Sequence, residues 1–425
     1  MLSGQIFLIF RLLDQIKKMK RRSAQKSSVS PLELPSKRTR GSAIADPESS
    51  WSETGQLMYF NFSSTPSSKI LGFDMDSTLI ATKSGRTFPT NDQDWKILYP
   101  EIPSKLQTMD SEGYRIVIFT NQKGIQQGHQ GKIGMQNKIK AILTELNINA
   151  LVMVSCGDDE FRKPCTGMWE YMVKNLNGGL AVDIQGSKYI GDAAGRPKTS
   201  KRKEDFNDTD LKYALNIGIP FETPEKFFLG EAENYPSPEV NPKNIRKNGS
   251  VFKGQDTNEG LTSTNTEVII FVGSPGSGKS TFWKNYLSAY TRVNNDTLKT
   301  KERCLKVMRQ SLEAKKSCVI DNTNPTAQAR SEYLKLAKEF NVPVRCFVFS
   351  IPKAMAFHLD TLRKINSHRK HLSKRVGSIP IHKFFKDFEA PQPTEGFTEI
   401  KQVELVGGPF DNPTDESLFY SFVYA

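Results

Sequence analysis

Asp74 and Asp76, in Phe73-Asp74-Met75-Asp76-Ser77-Thr78, stand two residues apart, a spacing that turns both carboxylates to one side of an extended chain. Further on come Thr120-Asn121, Arg162-Lys163-Pro164 and Gly191-Asp192, which add a hydroxyl, an amide, a cation and a distal carboxylate. Such groups suit phosphoryl chemistry, because a phosphate monoester is a poor electrophile and yields to a carboxylate once its oxygens are neutralised. A second set is contiguous: Gly273-Ser274-Pro275-Gly276-Ser277-Gly278-Lys279-Ser280-Thr281. This is a G-x₄-GK[ST] loop. Its backbone amides cradle the phosphates of ATP, Lys279 reaches the β- and γ-phosphates, and Ser280 ligates Mg²⁺. Asp296 stands where the base of a small kinase would accept a proton from the attacking hydroxyl, or is simply a polar turn residue. Asp321 ends an apolar run, a Walker B-like position. The basic segment Arg363 to Arg375 reads as a lid over the transferring phosphoryl group or as a solvated helix face.

The apolar pattern gives the elements that must position these groups. Ile70-Leu71-Gly72-Phe73, Arg115 to Phe119, Leu151 to Val154 and Lys188 to Gly191 read as short buried strands, with a helical stretch from Met135 to Leu146 between two of them. Each chemical string follows a strand, and in an open parallel sheet ligands bind at the carboxyl ends of strands. Val268 to Val272, Ser317 to Ile320 and Val344 to Phe349 begin the same rhythm again. The fold class expected is α/β, with two doubly wound parallel-sheet domains. The division expected is a disordered basic tail over 1–50, a phosphatase domain over 51–230, a linker rich in Pro, Asn, Gly, Ser and Thr over 231–266, and a P-loop kinase domain over 267–425.

In their order and placement, the first set of strings resembles the haloacid dehalogenase-type phosphatases. That resemblance implies that Asp74 is the nucleophile and becomes an aspartyl-phosphate. Asp76 protonates the leaving alkoxide and then deprotonates the hydrolytic water, a role asking for surroundings that keep it protonated near neutral pH. Thr120, Asn121 and Lys163 hold the phosphate. Mg²⁺ takes oxygens from Asp74 and Asp192, the Asp76 carbonyl and water, supported from behind by Asp210 or Asp208.

Composition agrees with a polyanionic partner. Lys and Arg number 59 against 46 Asp and Glu, a net charge of +13, and such a surplus displaces counterions from a phosphate backbone. Ten basic and four acidic residues lie in the first fifty, so the folded part is only mildly basic. The clusters at 17–22 and 37–40 read as a nuclear localisation signal or a nonspecific DNA-binding arm. A mitochondrial presequence stays open, with Asp14 against it. Five cysteines without CxxC spacing argue against a disulfide framework or a zinc site. No run reaches the ~20 apolar residues of a membrane span.

Taken with Ile320-Asp321-Asn322-Thr323-Asn324-Pro325 and Gly191-Asp192-Ala193-Ala194-Gly195-Arg196, the two halves resemble the eukaryotic polynucleotide kinase 3′-phosphatase family over about residues 51–425. The resemblance implies removal of 3′-phosphates and ATP-dependent phosphorylation of 5′-hydroxyls at DNA strand breaks, by a monomer working beside repair scaffold and ligase proteins. Three features depart from the family pattern. A short basic tail stands where many members carry a forkhead-associated domain. Ser77 replaces a common glycine. Asn295 and Thr361 stand where arginines are usual, which leaves kinase efficiency less secure than phosphatase activity. The rival readings are a small-molecule phosphatase fused to a metabolite kinase, which would share both motifs, and a noncatalytic binding protein, which would not need intact Asp74, Asp76, Lys163, Asp192 and Lys279.

Overall fold

A computed structural model describes residues 50–200, 202–365, 376–410 and 412–424. The basic clusters of the tail and the lid cations of 366–375 lie outside the described residues.

The first sheet has the order β1-β2-β7-β6-β3-β8-β9. Its strands are β1 (Ser52–Thr54), β2 (Leu57–Phe62), β3 (Ile70–Phe73), β6 (Arg115–Asn121), β7 (Ala150–Ser155), β8 (Lys188–Ile190) and β9 (Phe221–Glu222), while β4 (Ile80–Ala81) and β5 (Lys96–Ile97) form a separate small hairpin. Strands β7-β6-β3-β8-β9 run parallel. The β1–β2 hairpin adds an antiparallel edge against β7. Both faces of the parallel part are covered, so side chains alternate between two cores. From β6, Ile116 and Ile118 enter one core and Val117 and Phe119 the other. That is why these strands read as continuous apolar runs. The covering helices are α1 (Ile102–Ser111), α2 (Lys132–Leu146), α3 (Gly167–Tyr171), α4 (Thr209–Ile217) and α5 (Pro224–Leu229). In α2 the buried positions are Met135, Lys138, Ile139, Ile142, Leu143 and Leu146, an inward stripe at helical spacing with one cation inside it.

The second sheet is parallel throughout, in the order β11-β12-β10-β13-β14. Its strands are β10 (Val268–Gly273), β11 (Thr291–Val293), β12 (Cys318–Ile320), β13 (Val344–Phe349) and β14 (Glu399–Val403). The helices around it are α6 (Lys279–Tyr286), α7 (Asn295–Leu298), α8 (Lys301–Glu313), α9 (Ala327–Glu339), α10 (Lys353–Ile365), α11 (Ser378–Asp387) and α12 (Pro413–Phe419). Asn294, Thr300 and Thr326 start α7, α8 and α9 by accepting a backbone N–H of the first turn, which satisfies a donor the helix itself cannot. Part of the stretch read as a linker lies along this sheet. Val251 and Phe252 are buried in its core, Phe252 bridges to Val403, and the Arg345 guanidinium donates to the carbonyls of Gly260 and Leu261.

Residues from both halves share one apolar cluster, in which Cys165 packs with Met355, Leu359, Leu362, Phe419 and Val423. Asn216 of α4 exchanges two 2.8 Å hydrogen bonds with the Phe422 backbone and donates a third, also 2.8 Å, to the Pro164 carbonyl. Lys212 donates to the Tyr424 carbonyl at 2.9 Å. Asp158 accepts from Lys123 and, across the halves, from Lys364 of α10.

Two candidate active sites

Asp74 follows β3 directly, Thr120 and Asn121 close β6, Lys163 lies on the loop after β7, and Asp192 lies two residues past β8. The four strands are neighbours, so their carboxyl ends meet at one spot. There the Lys163 ammonium, fully buried, donates to Asp74 Oδ1 at 2.6 Å, to Asp210 Oδ1 at 2.7 Å and to the Tyr189 hydroxyl at 2.8 Å. Burial alone would lower the Lys163 pKa, but Asp210 and Asp74 outweigh it and hold it above its ordinary value. Burial pushes Asp74 up to about 7, with Lys163 opposing and Asp210 adding to the rise. Asp192 is raised well above a usual carboxylate by burial, then by Asp74 and Asp210.

One oxygen from each of Asp74, Asp192 and Asp210 falls within 4.8 Å of the others. Two buried carboxylates and the half-buried Asp192 gather about one ammonium, a surplus of carboxylate oxygens that fits a hard divalent cation. Of the two supports considered, Asp210 lies at this centre, whereas Asp208 pairs with Lys212 at 2.8 Å. Thr78, fully buried, accepts the Asp192 N–H at 3.1 Å, and its Oγ1 lies 3.2 Å from Asp192 Oδ1. Asn121 is engaged with the main chain, its side-chain oxygen accepting from Lys163 N at 3.0 Å and its amide donating to Lys163 O at 3.1 Å. It therefore aims the lysine. Thr120 is buried, and its hydroxyl accepts from Gln122 Nε2 at 2.9 Å.

Asp76 lies at the site mouth. Its side chain is 47% exposed, and its oxygens accept from Gln122 Nε2 at 2.7 Å and from Lys138 Nζ at 3.2 Å. An amide and an ammonium therefore flank it, because α2 directs Lys138 inward from its buried stripe.

At the second site, α6 begins inside the glycine-rich loop, as expected. Lys279 is folded back on that loop and donates to Gly273 O at 2.9 Å and to Ser274 O at 2.7 Å. Burial pushes its ammonium down to about 8; Asp321 and Asp296 favour the charge and Arg363 opposes it. Lys279, Asp321, Asp296 and Arg363 therefore share a single electrostatic neighbourhood. Asp321 Oδ2 accepts from Ser280 Oγ at 2.9 Å and from Arg292 Nε at 2.8 Å, and Arg292 stacks on Trp283 at 4.9 Å. Asp296 is exposed on α7 beside Asn295. Arg363, two residues past Thr361 on α10, lines one cavity with Gly276, Ser277, Gly278 and Thr281.

The model of the family described as "Polynucleotide kinase 3 phosphatase" matches residues 69–228, and that of an AAA domain matches residues 299–374. The bifunctional polynucleotide phosphatase/kinase of Schizosaccharomyces pombe is 38% identical over 360 residues, covering 84% of this chain and 85% of that protein. The chain belongs to the bifunctional polynucleotide phosphatase/kinases. A putative member of this family from Acanthamoeba polyphaga mimivirus is 34% identical, over 79% of this chain and 84% of that one. The polynucleotide 3′-phosphatase of Saccharomyces cerevisiae is 27% identical over 38% of this chain and 87% of its own length.

In this phosphatase/kinase, the motifs gave no role to Lys138, Gln122, Tyr189 or Arg292. Two carried a signal: Lys138 interrupts an apolar helical stripe, and Gln122 continues the Thr120-Asn121 string. Arg292 and Tyr189 lie within strands and carried none.

Proposed function

We propose that this chain processes DNA ends, hydrolysing 3′-phosphates at the Asp74 centre and phosphorylating 5′-hydroxyls with ATP at the Lys279 loop. The observation that carries the reading is the convergence of Asp74, Lys163, Asp192 and Asp210 at adjacent strand ends, in a family member that also keeps an intact P-loop. Asp74 attacks the phosphorus and the 3′-oxygen leaves, taking its proton from Asp76. Asp76 then draws a proton from the water that attacks the aspartyl-phosphate, so inorganic phosphate departs and Asp74 is regenerated. Lys163 and Thr120 hold the nonbridging oxygens, and Asn121 holds Lys163. Mg²⁺, which Asp74, Asp192 and the Asp76 carbonyl would hold, supplies charge neutralisation at the phosphoryl oxygens.

At the second site Asp296 accepts the 5′-hydroxyl proton as its oxygen attacks the γ-phosphorus and ADP leaves. Lys279 must release Gly273 O and Ser274 O to meet the phosphates, and Ser280 would hold Mg²⁺, which would neutralise charge on them. The basic clusters of the first fifty residues support action in the nucleus. Ends with a 3′-hydroxyl and a 5′-phosphate are the form a ligase joins, which supports repair ligases and scaffolds as partners.

Both activities on defined nicked, gapped and single-stranded DNA ends test the reading. Asp74→Ala is expected to abolish 3′-phosphate release and spare the kinase, and Lys279→Ala to do the reverse. Phosphate release from sugar phosphates without release from DNA ends would replace this reading with the small-molecule one.

A further inference from the structure

Tyr189 has no part in the reaction above, yet its position is unusual for a residue in a short buried strand. The ring is fully buried in β8 among aromatic neighbours, with Tyr213 at 5.1 Å and Phe119 at 6.3 Å between centroids. Phenylalanine would fill that space equally well, so only the hydroxyl asks for tyrosine. The hydroxyl accepts from Lys163 Nζ at 2.8 Å and donates to Asp210 Oδ1 at 3.1 Å. A lysine ammonium has three protons and no acceptor. Here the acceptors are Asp74, Asp210 and Tyr189, so every proton is placed and none can rotate freely.

The backbone is cut away to admit the two groups behind the lysine. A Cβ at Gly72, two residues before the nucleophile, would lie 2.8 Å from Tyr189 Cδ2. A Cβ at Gly191 would lie 2.5 Å from the Asp210 carboxylate. Neither glycine has a positive φ; each is required by close approach. Burial raises Tyr189 well above the ordinary phenol value, so the hydroxyl keeps the proton it donates to Asp210.

We propose that Tyr189 is a positioning residue for phosphoryl transfer to Asp74: its hydroxyl and Asp210 fix two of the three Lys163 N–H directions, leaving the third aimed at the reacting oxygens. This rests on the reading of Asp74 and Lys163 as the phosphatase centre. Without the hydroxyl the ammonium can swing about its last bond, and fewer encounters have the lysine aimed where charge develops.

Tyr189→Phe in the full chain tests this with a 3′-phosphate-terminated oligonucleotide and Mg²⁺. The phosphatase kcat is expected to fall about tenfold, as for one charge-assisted hydrogen bond, with KM within about twofold. The 5′-kinase activity of the same preparation is expected to be unchanged. An unchanged kcat, or a raised KM at full kcat, overturns the proposal, since a ring that only packs is replaced without loss by phenylalanine. Should Tyr189→Phe lose the kinase too, as a misfolded chain would, Gly72→Ala decides, because its methyl pushes the tyrosine ring off the same spot. Phosphatase loss with the kinase intact supports the proposal, and no loss overturns it. A wild-type chain without 3′-phosphatase activity would refute the underlying reading itself, an outcome distinct from an active wild type beside an equally active Tyr189→Phe.

Discussion

A lysine in the interior stripe of a helix is costly to bury unless a partner meets it, and Lys138 meets Asp76. The side chain is 3% exposed while that of Asp76 is 47% exposed, so the helix side of the pair is fixed and the carboxylate side is open to a substrate. Lys138 and Gln122 together fix the orientation of the Asp76 carboxyl group at the site mouth. Lys138→Met keeps the buried stem and removes the charge. Its expected effect is a fall of about ten- to a hundredfold in phosphatase kcat, part of what a positioned acid–base group contributes, with the kinase unaffected. Steady-state kinetics at saturating oligonucleotide would check it, and a variant as active as wild type would remove Lys138 from the site. Asp74, Lys163 and Asp192 were legible because each belongs to a contiguous string after an apolar strand. Tyr189 was not, because its partners lie on a loop, a helix and another strand, and no local string marks it.

Strands and their carboxyl ends were the most legible elements, since burial on both faces leaves unbroken apolar runs such as Val344–Phe349, which is β13 residue for residue. The β1–β2 hairpin escaped notice. Its place is set by antiparallel pairing of β2 with Ala150–Ser155, a long-range register that local composition does not encode. Segment 251–261 reads as linker for a related reason: its polar composition hides two buried residues and two carbonyls pinned by Arg345. The same elements bring Asp74, Asp192 and Asp210 from β3, β8 and α4 to one point, so a divalent cation there would cross-link three parts of the fold. With Mg²⁺ at about a hundred times its dissociation constant, the folded state gains about 2.7 kcal/mol. Thermal unfolding without nucleotide should therefore shift upward with Mg²⁺ relative to chelator, and Asp192→Asn should abolish most of the shift. An equal shift in that variant would place the ion elsewhere.

Across the molecule, His358 of α10 reports on the join between the halves. It is buried, its Nδ1 side meets the Phe419 backbone, and its Nε2 finds no hydrogen-bond partner among the described residues. Burial pushes its pKa down from 6.5 to about 4, with Lys212 of the first half acting in the same direction. Above pH 6.5 the imidazole is neutral folded or unfolded and contributes nothing to pH dependence. As pH falls from 6.5 to 4 only the unfolded chain takes the proton, so stability is lost progressively, by about 3 kcal/mol in all. Urea midpoints across that range should fall less steeply in His358→Leu than in wild type; parallel profiles would assign the slope to other groups.

Asn216 binds the backbone of Phe422 on one side and the carbonyl beside Lys163 on the other. The two catalysts are thus interlocked like joinery, with a late segment of the chain keyed into an early helix. Cutting the chain between the halves would uncover Asn216, Lys212 and Cys165, which the second half now meets.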